Sequence, residues 1–388
     1  MNRFCRHSFC FAILLLLLLI DFVDGNNAKT TTLTKEPTID ENNNNDAAVP
    51  TKDSFTTGLS DMVTLHDGNR IPVVGLGVAL TGDKTFEAVQ HALQVGYRLI
   101  DTASHESYGN EDSVGDAIRN YIATSTRTIQ RDDIVVITKL WDADHGFYPT
   151  LQSMDESYDA LNIGPIDLYM VHSPFQGKII ETWDAILYYQ QRGYIKSVGV
   201  SNFGIEHLQA MKDSGRPLPT VNQIEMHPLV YKYRRPLLEW CQQHNIKIQA
   251  YGSIMHGYTE WLEQSDVLMT LQKRHPQKTT AQILLRWALQ HEFLIIPKSS
   301  QKERITANAQ LYDFELSSED MDLLDNWGDA VTDEERNLYE KDWGWNPIDE
   351  ASVKLGKTTY WPDYEGVHWD DEDNDNNDDE GDGFNEEL

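Results

Sequence analysis

The sequence predicts an α/β fold, a (β/α)8 barrel of the TIM type with an N-terminal β-hairpin and a C-terminal extension. Two observations carry this expectation. Eight short apolar segments rich in Val and Ile alternate with helical patterns, which favours a closed parallel barrel over an open doubly wound sheet. No Gly-x-Gly-x-x-Gly follows any of those segments, which argues against a Rossmann-type dinucleotide-binding sheet.

The elements follow in chain order. Arg3 and Arg6 precede an apolar run from Phe9 to Ile20, and Val23-Asp24-Gly25 supplies small residues for cleavage. The run is shorter than the roughly 20 apolar residues of a spanning helix, so residues 1–25 read as a secretory signal peptide. No second long apolar run exists, so no stable membrane span is expected after cleavage. Residues 26–60, with Asn42-Asn43-Asn44-Asn45 at their centre, read as a disordered linker. The hairpin comes next: Met62-Val63-Thr64-Leu65, a His66-Asp67-Gly68-Asn69 turn, and Arg70-Ile71-Pro72-Val73-Val74.

Strands are expected near Val73–Val78, Tyr97–Ala103, Ile134–Leu140, Ile166–Ser173, Ser197–Asn202, Thr220–Met226, Ile246–Ser253 and Phe293–Lys298. Helical patterns include Thr85–Val95, Glu181–Arg192 and Thr280–His291. The barrel thus occupies residues 61–330. Residues 331–369 carry Trp343, Trp345, Tyr360, Trp361 and Tyr364, and are expected to pack on it. Residues 370–388 hold eleven Asp or Glu and no Lys or Arg, a run that self-repels and is expected to be disordered and dispensable for chemistry.

Cys5 and Cys10 fall in the leader, leaving Cys241 alone in the mature chain, so no intramolecular disulfide is expected. The net charge of −30 argues against a nucleic-acid partner, because phosphate binding needs clustered Lys and Arg. A monomer is expected, with no metal site.

Chemistry concentrates at strand ends. Gly96-Tyr97-Arg98-Leu99-Ile100-Asp101 delivers an Asp, and Tyr108 follows on the loop before the next helix. Ile134-Val135-Val136-Ile137-Thr138-Lys139 ends in a Lys, and Ile166-Asp167-Leu168-Tyr169-Met170-Val171-His172 in a His. An α/β barrel keeps its catalytic groups on this face. A buried ammonium needs a carboxylate, which Asp101 would supply to Lys139. The charged Lys139 is then expected to lower the pKa of Tyr108, ordinarily ~10, and make it a usable proton donor.

At these residues the chain resembles the aldo-keto reductases. The resemblance runs from about Met62 to Trp327 and rests on landmarks in order: Tyr97-Arg98-Leu99-Ile100-Asp101-Thr102-Ala103, Thr138-Lys139-Leu140-Trp141, Gly199-Val200-Ser201-Asn202-Phe203, Asn222-Gln223-Ile224-Glu225-Met226-His227-Pro228 and Ile296-Pro297-Lys298-Ser299. It implies a catalytic tetrad of Asp101, Tyr108, Lys139 and His172, with Tyr108 as general acid and His172 orienting the carbonyl oxygen. It further implies NADPH as cofactor. Ser201, Asn202 and Gln223 would bind the nicotinamide carboxamide and Tyr251 would stack on the ring. Ser253 falls in the pyrophosphate loop. Lys298, Ser299, Arg304 and Asn308 would hold the adenosine end, where two cations and a hydroxyl suit a 2′-phosphate. Trp141 and His172 would touch a small-molecule carbonyl substrate.

The chain also departs from the family pattern. The interval from Asp101 to Tyr108 is seven residues where the family has five, with His105 and Glu106 inserted. Gly75-Leu76-Gly77-Val78 lacks a Trp after its second Gly, and Ser173 stands where many members have Trp, which is expected to widen the pocket. The implied function is NADPH-dependent reduction of an aldehyde or ketone. The alternatives are a catalytically weak NADPH-binding barrel serving as sensor or accessory subunit, and a different phosphate-binding barrel enzyme. The leader and the terminal Asn385-Glu386-Glu387-Leu388, loosely like a retrieval address, lead to the expectation of an endoplasmic reticulum lumen protein, or else a secreted one.

Overall fold

The computed structural model describes residues 58–104, 108–126, 128–257 and 265–330. The expected leader, nearly all of the linker, the aromatic extension and the acidic tail lie outside the described residues.

The hairpin forms as the Asp-Gly turn dictates. Strands β1 (Met62–Thr64) and β2 (Arg70–Pro72) pair antiparallel with Val63 opposite Ile71, and Gly68 takes the positive φ of 90° that the turn needs. The hairpin sits over the strand starts: Asn69 Nδ2 donates to Ser197 Oγ at 3.0 Å, and a His66 ring nitrogen lies 3.1 Å from the Pro219 carbonyl.

Eight parallel strands then follow one another around a ring. They are β3 (Leu76–Gly77), β4 (Leu99–Asp101), β5 (Val135–Leu140), β6 (Ile166–Val171), β7 (Ile195–Ser201), β8 (Val221–Glu225), β9 (Lys247–Tyr251) and β10 (Leu294–Ile295), each paired with the next. Bridges from Val74 to Ile295 and from Gly77 to Lys298 join the first strand to the last and close the barrel. Seven of the eight strands fall within the expected segments and β7 begins two residues earlier, at Ile195, while β3 and β10 are only two residues long. Pro297 cannot donate to a ladder there, and Gly75 and Gly77 mark a close approach. A Cβ on Gly75 would stand 1.8 Å from Leu99 Cδ2, and one on Gly77 would stand 2.9 Å from the Ile296 carbonyl.

Helices α1 (Thr85–Val95), α2 (Glu111–Thr124), α3 (Phe147–Leu161), α4 (Ile179–Gln191), α5 (Ile205–Asp213), α6 (Pro228–Gln243), α7 (Asp266–Arg274) and α8 (Thr280–Gln290) cover the outside. Three shorter ones complete the described chain: α9 (Lys302–Asn308), α10 (Ser318–Asp325) and α11 (Trp327–Ala330). Each main helix buries one face; α1, for instance, turns Ala88, Val89, Ala92 and Leu93 inward at helical spacing and stops at Gly96. Inside the ring, registered neighbours point the same way. Lys139, Met170 and Gly199 form one tier, and Ser201, Gln223 and Gln249 form another. Polar groups thus enter a ring that is otherwise Val, Ile and Leu, toward the strand C-terminal ends.

Candidate active site

Lys139 is one of the largest fully buried side chains of the protein. Its Nζ donates to Asp101 Oδ1 at 2.7 Å and to the Thr102 carbonyl at 2.9 Å, with side-chain exposures of 0% for Lys139 and 3% for Asp101. The other carboxylate oxygen, Oδ2, accepts from Gln223 Nε2 at 2.8 Å. Each charge at the ring's centre therefore has a partner, as a buried ion pair requires.

Tyr108 stands over this pair. Its ring centroid is 5.4 Å from Lys139 Nζ and 5.9 Å from the His172 ring, and Trp141 meets His172 edge-on at 5.1 Å. The four tetrad candidates and Trp141 are thus gathered at one place. Tyr108 reaches it despite the longer interval because the chain is pinned just downstream. Asn110 Oδ1 accepts from Thr102 Oγ1 at 2.6 Å, and Asn110 Nδ2 donates to the Val78 carbonyl at 2.8 Å. Behind it Glu111 is buried and accepts from Thr138 and Ser157 hydroxyls.

One expectation is corrected here. Burial, and then the nearby Asp101 carboxylate, push the Tyr108 phenol well above its usual range rather than below it. The Lys139 ammonium beneath the ring is itself paired with Asp101 at 2.7 Å. The phenol keeps its proton and stands as an acid, not as a phenolate.

The carboxamide candidates also converge. Ser201 Oγ donates to the Gln223 carbonyl at 2.9 Å, Asn202 Nδ2 donates to the His172 carbonyl at 2.9 Å, and Tyr251 OH donates to Asn202 Oδ1 at 2.9 Å. Asn202 adopts φ of 62°, the left-handed region that Asn tolerates. Gln223 spends both amide hydrogens inside the barrel, one on Asp101 and one on Gln249 Oε1 at 2.7 Å. Its Oε1 is left as the acceptor, which suits an amide donor arriving from above.

At the far end Lys298 and Arg304 are exposed and repel each other, and burial followed by that repulsion draws the Lys298 pKa down. Among the described residues no carboxylate pairs with either. A site with two cations and no internal counter-charge fits an external phosphate. Ser299 is buried and accepts from the Gln301 backbone N–H at 3.1 Å, and Asn308 is buried at the end of α9. Ser253 is buried after β9, 3.4 Å from the Ala250 carbonyl. Among the described residues no group of three or more His, Cys, Asp or Glu side chains could hold a metal ion.

Residues 74–329 match the family described as the Aldo/keto reductase family. The chain belongs to this family. An uncharacterized oxidoreductase of Bacillus subtilis, YtbE, is 39% identical over 272 residues, covering 70% of this chain and 94% of the relative. A Bacillus subtilis glyoxal reductase is 37% identical over 271 residues, covering 69% and 93%. The crystal structure of a mutant of Gox0644 in complex with NADPH is 33% identical with a TM-score of 0.62, covering 71% of this chain and 97% of that one. This aldo/keto reductase fold is therefore seen with NADPH bound.

The same matches overturn the expected location. Both Bacillus relatives are covered almost whole by about 270 residues of this chain, which leaves little in them to correspond to the segments expected to be a leader and a tail. The reading as an endoplasmic reticulum lumen or secreted protein rested on those segments alone, and the kinship gives it no support. Among the described residues no helix is long and apolar enough to cross a membrane.

Sequence reasoning missed three polar clusters. Gln249 meets Gln223 in the ring, as above. Glu225 accepts from His227 Nε2 at 3.2 Å and His256 Nε2 at 3.0 Å, behind Tyr251. Ser173 is fully buried and donates to Asp142 Oδ1 at 2.7 Å, so it ties the loop after Trp141 to the loop after His172. Burial pushes Asp142 up to about 7. His145 Nε2 lies 3.9 Å from the same oxygen, and burial draws His145 down to about 4.

Proposed function

We propose that this aldo/keto reductase uses NADPH to reduce a small aldehyde or ketone to the alcohol, with Tyr108 as the proton donor. The observation that carries the reading is the stacked arrangement of the Asp101–Lys139 pair beneath the Tyr108 ring, with His172 at its edge.

When bound, NADPH supplies the hydride. Lys298 and Arg304 would hold the 2′-phosphate, Ser299 and Asn308 would border the adenosine end, and Ser253 would lie by the pyrophosphate. Ser201, Asn202 and Gln223 would fix the carboxamide and Tyr251 would face the ring. The carbonyl oxygen lies between Tyr108 and His172, with Trp141 beside it. As the carbonyl carbon gains the hydride, its oxygen gains negative charge and takes the phenolic proton of Tyr108. A raised phenol pKa is compatible with this, because an alkoxide is a stronger base than a phenolate. The phenolate left behind faces the Lys139 ammonium, which stabilises it until solvent returns the proton. Asp101 pairs with that ammonium at 2.7 Å.

The Bacillus subtilis relative that reduces glyoxal makes glyoxal the first compound to assay. The test is NADPH consumption with a panel of aldehydes that includes it. Saturable turnover with NADPH is expected; NADPH binding with no turnover across the panel would return the protein to a sensor or accessory role.

A further inference from the structure

Gln249 is fully buried, its Oε1 accepts from Gln223 Nε2, and its own Nε2 has no hydrogen-bond partner among the described residues. Its acceptor satisfies the second amide hydrogen of Gln223, and its own donor is left over. A buried donor without a partner is costly, so the residue gives up one hydrogen bond to supply that acceptor. The residue sits in direct register with Gln223 on β8 and with Leu294 on β10, so it cannot swing away to find another partner.

What Gln249 does is hold the Gln223 amide. Asp101 Oδ2 takes one of the two amide hydrogens, which settles which end is nitrogen, since a carboxylate only accepts. With that bond alone the amide can still rotate about it. The second bond, to Gln249 Oε1, fixes the amide plane and leaves Gln223 Oε1 as the outward acceptor.

Resting on the reading of the site as an NADPH site, we propose that Gln249 is a positioning residue for cofactor recognition: by holding the Gln223 amide against Asp101, it fixes an acceptor for the NH2 group of the nicotinamide carboxamide. Gln249 itself touches neither cofactor nor substrate in this scheme. It acts through Gln223, two side chains from the Asp101–Lys139 pair.

The test compares two variants and two cofactors by fluorescence titration of the whole chain. Gln249→Met keeps the length and loses the acceptor; Gln249→Glu keeps an oxygen toward Gln223. NADPH binding is expected to weaken about tenfold in Gln249→Met and to stay within about threefold of wild type in Gln249→Glu. The second cofactor is the reduced 3-acetylpyridine analogue, whose acetyl group has no N–H to donate. Gln249→Met and wild type are expected to bind it equally. Thermal melting of Gln249→Met is expected within a few degrees of wild type, since the variant removes one unpartnered donor and leaves another on Gln223. Equal weakening with both cofactors, or no weakening with either, would overturn the proposal. Failure of the wild-type chain to bind NADPH at all would instead overturn the reading on which it rests.

Discussion

Two lysines divide the labour of this molecule. Lys139 has no exposed surface and is closed off by the Asp101 carboxylate at 2.7 Å; Lys298 is exposed, faces Arg304, and has no acid beside it among the described residues. The first is a charge completed from within, fit to hold a proton donor in place through repeated turnovers. The second is a charge left incomplete, fit to be completed by something that comes and goes. On the proposed reading, internal compensation would mark the group that serves the chemistry, and its absence the group that recognises an anion.

The comparison breaks first at Tyr108. Tyr108→Phe is expected to lower the rate of carbonyl reduction by about 10²–10⁴-fold while leaving NADPH affinity in place. Steady-state rates within a few-fold of wild type would separate Lys139 from the chemistry. Next in size is Lys139→Met, which leaves Asp101 buried without its cation. Breaking a buried pair from one side costs roughly 3–5 kcal/mol, so urea unfolding should show a loss of that order. The corresponding Lys298→Ala should leave stability unchanged, and a similar loss at both lysines would erase the distinction.

Recognition is the smaller effect. Lys298→Ala with Arg304→Ala should weaken NADPH by roughly 1.5–3 kcal/mol for each charged hydrogen bond lost, with NADH nearly unmoved. Equal losses for the two cofactors would sink the 2′-phosphate assignment.

Asp142 shows a third way to bury an ion, which is to keep its proton. Held up to about 7, it makes the folded chain bind an extra proton between about pH 4 and 7, so stability falls as pH rises through that window. His145, drawn down to about 4, does the reverse: between 6.5 and 4 the unfolded chain binds the extra proton, and stability falls as pH drops. The two slopes oppose each other over nearly the same range. Asp142→Asn keeps an acceptor for Ser173 and leaves the His145 slope alone. The variant should gain stability from pH 4.5 to 6.5 by a few kcal/mol at most, at about 1.4 kcal/mol per tenfold change in proton affinity. Unfolding curves that run parallel in wild type and variant would exclude this account.

The sequence revealed the barrel and the gathering of Asp101, Tyr108, Lys139, His172 and Trp141 because both depend on local signals. Apolar strands end in polar residues, and motifs recur in order. The inserted His105 and Glu106 put the place of Tyr108 in question, and only the bonds from Asn110 to Thr102 and Val78 account for it. Gln249 was illegible because its meaning comes from a neighbour on another strand. Ser173 reads as a lost aromatic ring in sequence; in the structure its hydroxyl is spent on Asp142. The direction of the Tyr108 shift is not legible in sequence because pairing Lys with Tyr leaves out the burial of the phenol and, after it, the nearby Asp101 carboxylate.

The ring of strands has a clasp. Its first and last staves, Leu76–Gly77 and Leu294–Ile295, meet through the bridges at Val74–Ile295 and Gly77–Lys298, a shorter seam than the four registered pairs that join β5 to β6. Lys298 is the last rivet of that seam. A phosphate held by its ammonium would therefore fasten a short seam of the hoop, and a cofactor bound there would become part of what keeps the barrel shut. Amide exchange at Gly75 and Gly77 should accordingly slow when NADPH is added, by more than at β5 or β6.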